Sequence, residues 1–212
     1  MRARRGLSLA ELLVAMGLAA IVLAIATSLI WQAVRTTARG TVSGELYQSG
    51  VTALTWLVED IQSTGAAGIG VLNSGGPATP TVLSVHPLAD VSNQLVRFYD
   101  DHIVVYVWDP ATGILTRSTW PPGPPTLGVT LEPANPWRPD DTQLLALTAN
   151  NGTRRQLATQ VTAFEFENPA GVDFPNIGQP LKLKLSLSRK AAAGYQPEKF
   201  EVERLITLRN GL

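Results

Sequence analysis

The N-terminal part of the chain is dominated by one uninterrupted apolar stretch. Residues Leu7–Trp31 read LSLAELLVAMGLAAIVLAIATSLIW and contain a single charged side chain, Glu11. A helix of this length extends about 37 Å, which exceeds the ~30 Å hydrocarbon thickness of a bilayer. Arg2, Arg4 and Arg5 precede the stretch. Because basic residues stay on the cytoplasmic side, the pattern predicts one membrane-spanning helix with its N-terminus in the cytoplasm.

A second helical pattern follows the apolar stretch. Apolar residues recur at helical spacing and form one stripe, consisting of Leu46, Ala53, Leu54, Leu57, Val58 and Ile61. Gly40, Gly44 and Gly50 each weaken a helix by about 1 kcal/mol relative to alanine. We therefore expect Arg35–Gly44 to form a flexible junction, and the glycines from Gly65 onward to end the helix. The stripe predicts an amphipathic continuation that packs on a globular region.

The remainder of the chain, residues 67–212, is rich in strand patterns separated by proline and glycine. The clearest is Leu181–Ser188, in which leucines alternate with lysine and serine, as in a strand with one buried face. The turn sequence Asp109–Gly113 predicts a hairpin between its flanking runs. The expected strands are Thr81–His86, Gln94–Tyr99, Ile103–Trp108, Ile114–Trp120, Gln143–Ala149, Arg155–Ala158, Val161–Glu167, Leu181–Ser188 and Phe200–Arg209. Pro121–Pro139 is expected to be a proline-rich loop, and Asn150–Gly152 a turn.

These elements together predict an α+β fold. A long N-terminal helix, membrane-spanning in its first half and amphipathic in its second, would pack its stripe on an antiparallel sheet. This arrangement buries the apolar face of the helix and the apolar face of the sheet against each other.

Composition narrows the possible functions. The chain has 212 residues and a formal net charge of +0, so its charge does not indicate nucleic-acid binding. It contains no cysteine, which excludes a disulfide framework, a thiolate zinc site and cysteine catalysis. Stability must therefore come from the core and not from cross-links.

The remaining polar residues do not assemble into a catalytic or metal-binding pattern. His86 and His102 lie in or beside strands without partners at ligand spacing, and we expect both to be partly exposed. Asp100–Asp101 and Asp140–Asp141 are candidate calcium ligands, but each pair lies at a turn outside any D-x-D-x-D-G pattern. P-loop, G-x-S-x-G and H-E-x-x-H sequences are absent. The sequence therefore predicts no cofactor, no metal site and no enzymatic activity.

Glu11 is the one charged residue within the apolar stretch Leu7–Trp31. A lone carboxylate destabilises a membrane helix by about 2.5–3.5 kcal/mol unless it is protonated or paired. A cleavable secretory signal would have a shorter apolar core, and the small residues Ala24–Ser28 leave this alternative open. An ordinary signal anchor fits the length of the stretch but does not explain Glu11. An ionisable residue inside the membrane therefore indicates a function and a partner.

The residues around Glu11 carry a resemblance to a known family. The sequence RRGLSLAELLVAM, residues 4–16, resembles the type III prepilin signal of type IV pilins and type II secretion pseudopilins. The resemblance implies that prepilin peptidase cleaves between Gly6 and Leu7 and methylates the new amine of Leu7. It also implies that Glu11, fifth in the mature chain, neutralises the Leu7 amine of a neighbouring subunit in a filament. The family usually has phenylalanine at the position of Leu7.

Further features bear on the kind of pilin. Major pilins usually carry a proline about two-thirds along the membrane helix, whereas Ala24–Leu29 has none, which favours a minor pilin or a pseudopilin. Ile103–Arg117 is similar to the I-x-Y … G-x-L-x-R hairpin of PilW-like minor pilins and J-type pseudopilins. Leu157–Phe166 is similar to their L-A-x-x-V-x-x-F-x-F segment, and the ending Leu208–Asn210 is common in that group.

The resemblance implies a minor pilin of a type IV pilus, a non-catalytic subunit that helps to initiate or cap the filament. A J-type pseudopilin of type II secretion is the alternative within the family, and a signal-anchored extracytoplasmic ligand-binding module is the alternative outside it. The expected organisation is a leader at 1–6, a filament-core helix at 7–31, an amphipathic continuation at 32–66 and a β-rich globular region at 67–212.

The same resemblance implies the partners and the location. The expected partners are prepilin peptidase and other minor and major pilins or pseudopilins, which are contacted through the N-terminal helix. The chain is expected in the bacterial inner membrane as a single-pass protein with its globular region outside the cytoplasm. It would pass from there into a pilus or pseudopilus.

Overall fold

The computed structural model describes residues 8–73, 79–92, 96–120, 127–149, 154–168, 180–192 and 194–208. The chain divides into two units, Met1–Val42 and Ser43–Leu212, and we call the second unit the head. The long helix α1, Leu9–Gln62, contributes to both units. A 3-10 turn at Ala66–Gly68 follows it, and a shorter helix, α2, spans Asp141–Thr148.

Within the head, α1 buries the stripe that its apolar spacing predicts. The buried members are Leu46, Ala53, Leu54, Leu57 and Ile61. Gly50 is also buried, and a Cβ atom on it would lie 2.3 Å from Cε1 of Phe200. Gly50 therefore lets an aromatic ring approach the helix backbone closely. The segment Arg35–Gly44, expected to be a flexible junction, is helical, and α1 ends at Gln62, before Gly65.

Ten strands in the described part of the head form three antiparallel sheets. They are β1 Ile69–Leu72, β2 Thr81–Val85, β3 Leu88–Val91, β4 Arg97–Tyr99, β5 Ile103–Asp109, β6 Ile114–Trp120, β7 Arg155–Ala158, β8 Val161–Glu167, β9 Leu181–Lys190 and β10 Pro197–Ile206. One sheet has the order β1-β2-β5-β6-β7, a second has the order β10-β9-β8, and β3 pairs with β4. The predicted α+β fold, a long N-terminal helix packed on an antiparallel sheet, is confirmed.

The five-stranded sheet is covered on both faces, which explains why every residue from Ile103 to Trp108 in β5 is buried. On one face, the hydroxyl of Tyr106 contacts Asp60 of α1. The other face carries an apolar cluster, which comprises Val82, Ile103, Val105, Val107 and Trp120 of the sheet and Leu144 and Leu147 of α2. Leu127, Val129, Leu131 and Trp137, from the loop after β6, pack against this cluster. A continuous apolar run is typical of a strand that is buried on both sides.

The three-stranded sheet has one buried face and one charged face. Leu181, Leu183, Leu185 and Leu187 of β9 are buried, as their alternation predicts. On the charged face, Nζ of Lys182 lies 3.0 Å from a carboxylate oxygen of Glu167 and 3.2 Å from one of Glu203. Asn73 connects this sheet to the end of β1. Its side-chain amide donates to the carbonyl of Phe166 at 2.7 Å and accepts from the N–H of Phe166 at 3.0 Å, as a paired strand residue would.

The prediction of a strand at Gln143–Ala149 is wrong, because this segment forms most of α2. Asp140 caps the helix by accepting from the backbone N–H of Gln143 at 2.8 Å, and the Gln143 side chain accepts from the N–H of Asp140 at 3.0 Å. This reciprocal capping box satisfies two backbone donors and stabilises the helix. The expected turn Asn150–Gly152 lies outside the described residues.

The other expected strands are present, although some of their ends differ. β4 begins at Arg97, whereas residues 94–95 of the expected strand Gln94–Tyr99 lie outside the described residues. β10 spans Pro197–Ile206 instead of Phe200–Arg209. The apolar pattern predicts neither β1 nor β3, since each has only four residues and β1 contains Gly70.

Candidate assembly site

The described part of the candidate site begins at Ser8. The predicted cleavage position between Gly6 and Leu7, and the predicted methylation of Leu7, lie outside the described residues. Glu11, the remaining candidate residue, lies in the first turn of α1. The contacts of this turn show what Glu11 binds within its own subunit.

Glu11 is bonded to Ser8 in a reciprocal capping box. The backbone N–H and the hydroxyl of Ser8 donate to Oε2 of Glu11 at 2.9 and 3.0 Å, and the N–H of Glu11 is 3.2 Å from Ser8 Oγ. The box satisfies donors that have no partner within the first helical turn. The carboxylate also lies at the positive end of the helix dipole, where negative charge is stabilised. Glu11 therefore has a structural role in its own helix.

The hydrogen bonds that Glu11 accepts from described residues all reach one carboxylate oxygen, Oε2. Among the residues that the structure describes, no hydrogen bond reaches Oε1. Beside Glu11 lies a shallow depression of about 370 Å³, lined by Ala10, Val14, Ala15 and Leu18. Because alanine side chains are short, a second helix can approach the backbone closely at this point. One acceptor oxygen on an apolar surface suits a cationic group carried by an apolar helix.

The first half of α1 exposes apolar side chains all around the helix. Every large apolar residue from Leu9 to Val34 is more than half exposed in the single chain. Within the described residues, α1 is the one helix that is long and apolar enough to cross a membrane, with a mean hydropathy of 2.6 over 18 consecutive residues. An apolar surface of this extent needs lipid or other helices around it.

A cluster of polar residues lies within the head, where α1 meets the five-stranded sheet. Asp60 of α1 accepts from Nε of Arg117 at 2.8 Å, from Nη2 of Arg117 at 3.3 Å, and from the hydroxyl of Tyr106. Tyr106 on β5 and Arg117 on β6 are directly paired across the hairpin. The side chains of Asp60 and Arg117 are only 15% and 21% exposed. These bonds attach the β5–β6 hairpin to the helix.

Burial and neighbouring charges shift the pKa values of Tyr106 and Arg117. Burial and then the negative charge of Asp60 raise the pKa of Tyr106 far above its ordinary value, so the hydroxyl stays protonated and donates. Burial opposes the charge of Arg117, but the hydrogen bond and attraction of Asp60 outweigh it and raise the Arg117 pKa. Trp56 stacks beside the pair, with Cζ of Arg117 at 5.1 Å and Cζ of Arg155 at 5.3 Å from its ring centroid. These contacts favour a structural role for Asp60, Tyr106 and Arg117.

The two histidines differ from each other in burial. His86 is fully buried, so the expectation that it is partly exposed is wrong. His102 is partly exposed, and its Nδ1 lies 3.2 Å from Oδ1 of Asp100 and 3.4 Å from Oδ1 of Asp101. The potential ligand atoms of these last three residues lie within 4.8 Å of one another. Hydrogen bonds between solvated side chains account for this surface cluster, which therefore supports no metal assignment.

Sequence reasoning missed the local partner of Glu11 and the whole Asp60 cluster. The first is visible in the sequence, because Ser8 and Glu11 match the S-x-x-E pattern of a capping box. Asp60 has no comparable signal, since it lies 46 residues before Tyr106 and 57 before Arg117. Their contact depends on the tertiary fold.

Comparison with known proteins adds one finding at the N-terminus. Residues 1–27 match the family described as the prokaryotic N-terminal methylation motif. No curated protein and no solved structure matches the chain significantly. The motif and the long apolar helix are consistent with a type IV pilin-like protein, and the motif indicates the pilin or pseudopilin class. It implies processing by prepilin peptidase and association with other pilins, and the apolar helix is consistent with a membrane anchor.

Proposed function

We propose that this chain of the pilin or pseudopilin class is a minor pilin of a type IV pilus. It is a non-catalytic subunit that helps to initiate or cap the filament. The proposal rests on the methylation motif at residues 1–27, which leads into an apolar helix with Glu11 in its first turn. Before assembly the helix lies in the inner membrane and the head lies outside the cytoplasm. During assembly the helix leaves the lipid and joins the helices of other subunits.

Glu11 supplies the charge that positions this helix in the filament. Cleavage after Gly6 creates a cationic amine on Leu7, and methylation keeps that charge. Oε1 of Glu11 accepts a hydrogen bond from the Leu7 amine of a neighbouring subunit, while Oε2 stays with Ser8. An unpaired charge is strongly unfavourable in an apolar filament core, so this pairing selects one register between adjacent helices.

Two features support a minor subunit in preference to the main fibre subunit. The helix α1 spans Leu9–Gln62 without a proline in Ala24–Leu29, where the resemblance to major pilins would require one. The β5–β6 hairpin resembles that of PilW-like minor pilins, and its Tyr106 and Arg117 bind Asp60.

Variants of the capping box test the proposed role because they separate the charge of Glu11 from its capping. Glu11→Gln keeps an acceptor for Ser8 but removes the charge, whereas Ser8→Ala removes the cap and keeps the charge. We expect Glu11→Gln to reduce the subunit in sheared pili to background. Ser8→Ala should still be incorporated at a reduced level, since loss of an N-cap destabilises a helix by about 1 kcal/mol. Immunoblots of sheared pili, normalised to the membrane level of the subunit, measure incorporation.

Glu45→Gln is the matched control, because Glu45 lies on the same helix and forms an exposed 2.7 Å ion pair with Arg189. This variant should be incorporated normally. Mass spectrometry of each variant should show a mature chain about 0.7 kDa lighter than the precursor, with a methylated Leu7. An uncut Met1 terminus would contradict the pilin class. Normal incorporation of Glu11→Gln would contradict the assembly role of Glu11, whereas absence of the wild-type chain from sheared pili would favour the signal-anchored binding module.

Deletion of the gene separates the two pilin-class alternatives. If the deletion strain has fewer pili but secretes proteins normally, the chain is a type IV pilus subunit. Lost secretion with normal pili assigns the chain to type II secretion as a J-type pseudopilin.

A further inference from the structure

The loop Leu127–Asp140 covers the outer face of the five-stranded sheet. Its side chains Leu127, Val129, Leu131 and Trp137 pack against the apolar cluster of sheet and α2 residues. The ring of Trp137 lies against that of Trp120, with the two centroids 5.2 Å apart. The loop contains neither helix nor strand. Its position therefore depends on these side-chain contacts and on hydrogen bonds from its backbone to the rest of the head.

Two of these backbone hydrogen bonds reach neighbouring elements. The carbonyl of Pro133 accepts from the N–H of Tyr99 in β4 at 2.7 Å. The N–H of Trp137 donates to Nδ1 of His86 at 2.9 Å. The second bond ends on a titratable side chain, so its strength depends on the protonation of His86.

The contacts of His86 define its protonation state. Nε2 lies 2.7 Å from the carbonyl oxygen of Asp100, which can only accept, so Nε2 carries the proton. The N–H of Trp137 can only donate, so Nδ1 must present its lone pair. His86 is therefore the neutral Nε2–H tautomer. Its ring is fully buried 5.2 Å from that of Tyr99, and its backbone carbonyl accepts from the Thr64 hydroxyl at 2.5 Å.

Charged and titratable groups occur on the elements packed against His86. Asp100, Asp101 and His102 lie in the turn before β5, Tyr99 lies in β4, and Arg138 follows Trp137 in the loop. Burial lowers the pKa of His86 below its ordinary value, and the charge of His102 acts in the same direction. The hydrogen bond to Asp100 and the charge of that residue offset part of this effect. His86 is therefore neutral near pH 7 while the loop is closed.

We propose that His86 is a pH-sensitive latch whose protonation releases the loop Leu127–Asp140 from the sheet. A proton can be added only at Nδ1, where it points at the N–H of Trp137. Two donors then face each other, and the hydrogen bond between the Trp137 N–H and His86 is lost. A buried imidazolium whose Nδ1–H has no acceptor is unfavourable, so the loop opens and the ring becomes solvated. Opening uncovers Trp120 and the apolar cluster, a surface that is hidden at neutral pH.

The direction of the response follows from the two protonation equilibria. With the loop open, His86 is solvated and titrates near its ordinary pKa of about 6.5. With the loop closed, its pKa is lower, so the closed state is fully favoured above about pH 6.5 and loses stability as the pH falls below it. If the closed loop excludes the proton completely, the ratio of open to closed loop rises about thirtyfold between pH 7.5 and pH 5.0.

Hydrogen exchange of the full chain in detergent micelles tests the latch. The variant His102→Gln leaves His86 as the one histidine in the chain. We expect the backbone around Trp137 to exchange up to about thirtyfold faster at pH 5.0 than at pH 7.5, after correction for the intrinsic pH dependence of exchange. The midpoint should lie below pH 6.5 in wild type and in His102→Gln, while β9 and β10 keep their protection.

His86→Gln is the complementary variant, because its amide can donate to Asp100 but does not titrate. We expect hydrogen exchange of the loop in this variant to show no increase between pH 7.5 and pH 5.0. This holds whatever the protection of the loop at pH 7.5. Unchanged loop exchange between pH 7.5 and 5.0 in His102→Gln overturns the latch. An equal acceleration in β9 and β10 also overturns it, since it reports global unfolding. If His86→Gln does not fold, the measurement on His102→Gln alone decides whether the latch exists. Loop exchange is measured on the isolated chain, so its result does not depend on whether the chain assembles into a filament.

Discussion

Asp60 accepts three hydrogen bonds from the hairpin at a position where water has little access. Such a group of charges stabilises a fold modestly as a whole, because desolvation offsets much of the attraction. Removing one member has a larger effect, since it leaves the opposite charge half-buried without a partner. At the scale of single residues, the attachment of helix to hairpin therefore depends on a complete set of partners.

We expect Asp60→Asn to lower the free energy of unfolding by about 2 kcal/mol, because Arg117 keeps its charge and loses its carboxylate. The double variant Asp60→Asn with Arg117→Met should recover part of this loss, since both charges are then absent. Urea unfolding followed by tryptophan fluorescence measures these free energies. Glu45→Gln removes an exposed ion pair and should change the stability by less than about 0.5 kcal/mol. Equal losses in Asp60→Asn and Glu45→Gln would contradict the role of burial.

The residue-scale features differ in how far the sequence reveals them. The capping box of Ser8 and Glu11 joins residues three positions apart, so a local pattern is sufficient to find it. The burial of His86 depends on Trp137, which lies 51 residues later, in a proline-rich loop. Local patterns carry no information on which loop returns to cover a strand end, so partial exposure is the natural but incorrect expectation.

At the scale of elements, Gly44 and Gly50 look equivalent in the sequence of α1 but differ in their surroundings. A Cβ on Gly44 would meet nothing within 4 Å, whereas one on Gly50 would overlap the ring of Phe200. Helix propensity favours alanine at both positions, but close packing on β10 opposes it at Gly50. The register between α1 and β10 therefore requires glycine at one of the two sites.

We expect Gly44→Ala to stabilise the head by up to about 1 kcal/mol through helix propensity. Gly50→Ala should instead destabilise it by about 1–2 kcal/mol, because Phe200 must move. Urea unfolding gives both values. Phe200→Leu in the Gly50→Ala background should restore part of the loss by removing the overlapping ring. A stabilising Gly50→Ala would show that the ring moves aside without cost.

The two elements β9 and α2 show why some predictions succeed and others do not. Leu181–Ser188 alternates without exception, and a period of two has no helical interpretation. Gln143–Ala149 is short and rich in leucine, and its period does not distinguish helix from strand. The decisive signal is the capping box between Asp140 and Gln143, which precedes the apolar residues. The cap residue Asp140, with Gln143 three residues later, indicates that a helix begins here.

At the scale of the whole molecule, the two units differ in what covers their apolar residues. Large apolar side chains of α1 up to Val34 are more than half exposed, whereas the described part of the head buries most of its own in sheets and helices. The sequence predicts this contrast, because a uniformly apolar run and an amphipathic stripe are distinguishable by composition and period. The second covered face of the five-stranded sheet is not predicted, since it depends on α2 and on the loop Leu127–Asp140.

We expect the fragment Ser43–Leu212 to be soluble in water without detergent and to unfold in one cooperative transition, because its core is internal. Near-ultraviolet circular dichroism should show fixed aromatic packing that is lost at the same temperature as the far-ultraviolet signal. A fragment with far-ultraviolet signal but no near-ultraviolet signal would contradict an independent core. The full chain should require detergent or lipid, which provides the comparison.

The stacked rings of Trp120 and Trp137 also provide an optical property. Indole groups at a centroid distance of 5.2 Å and an interplanar angle of 31° couple their electronic transitions. Coupled indoles give a paired positive and negative band in circular dichroism, and the pair disappears when the rings separate. The chain has no cysteine for attaching a dye. The paired bands of Trp120 and Trp137 therefore report whether the loop Leu127–Asp140 lies on the sheet, and they can be followed in solution without any label.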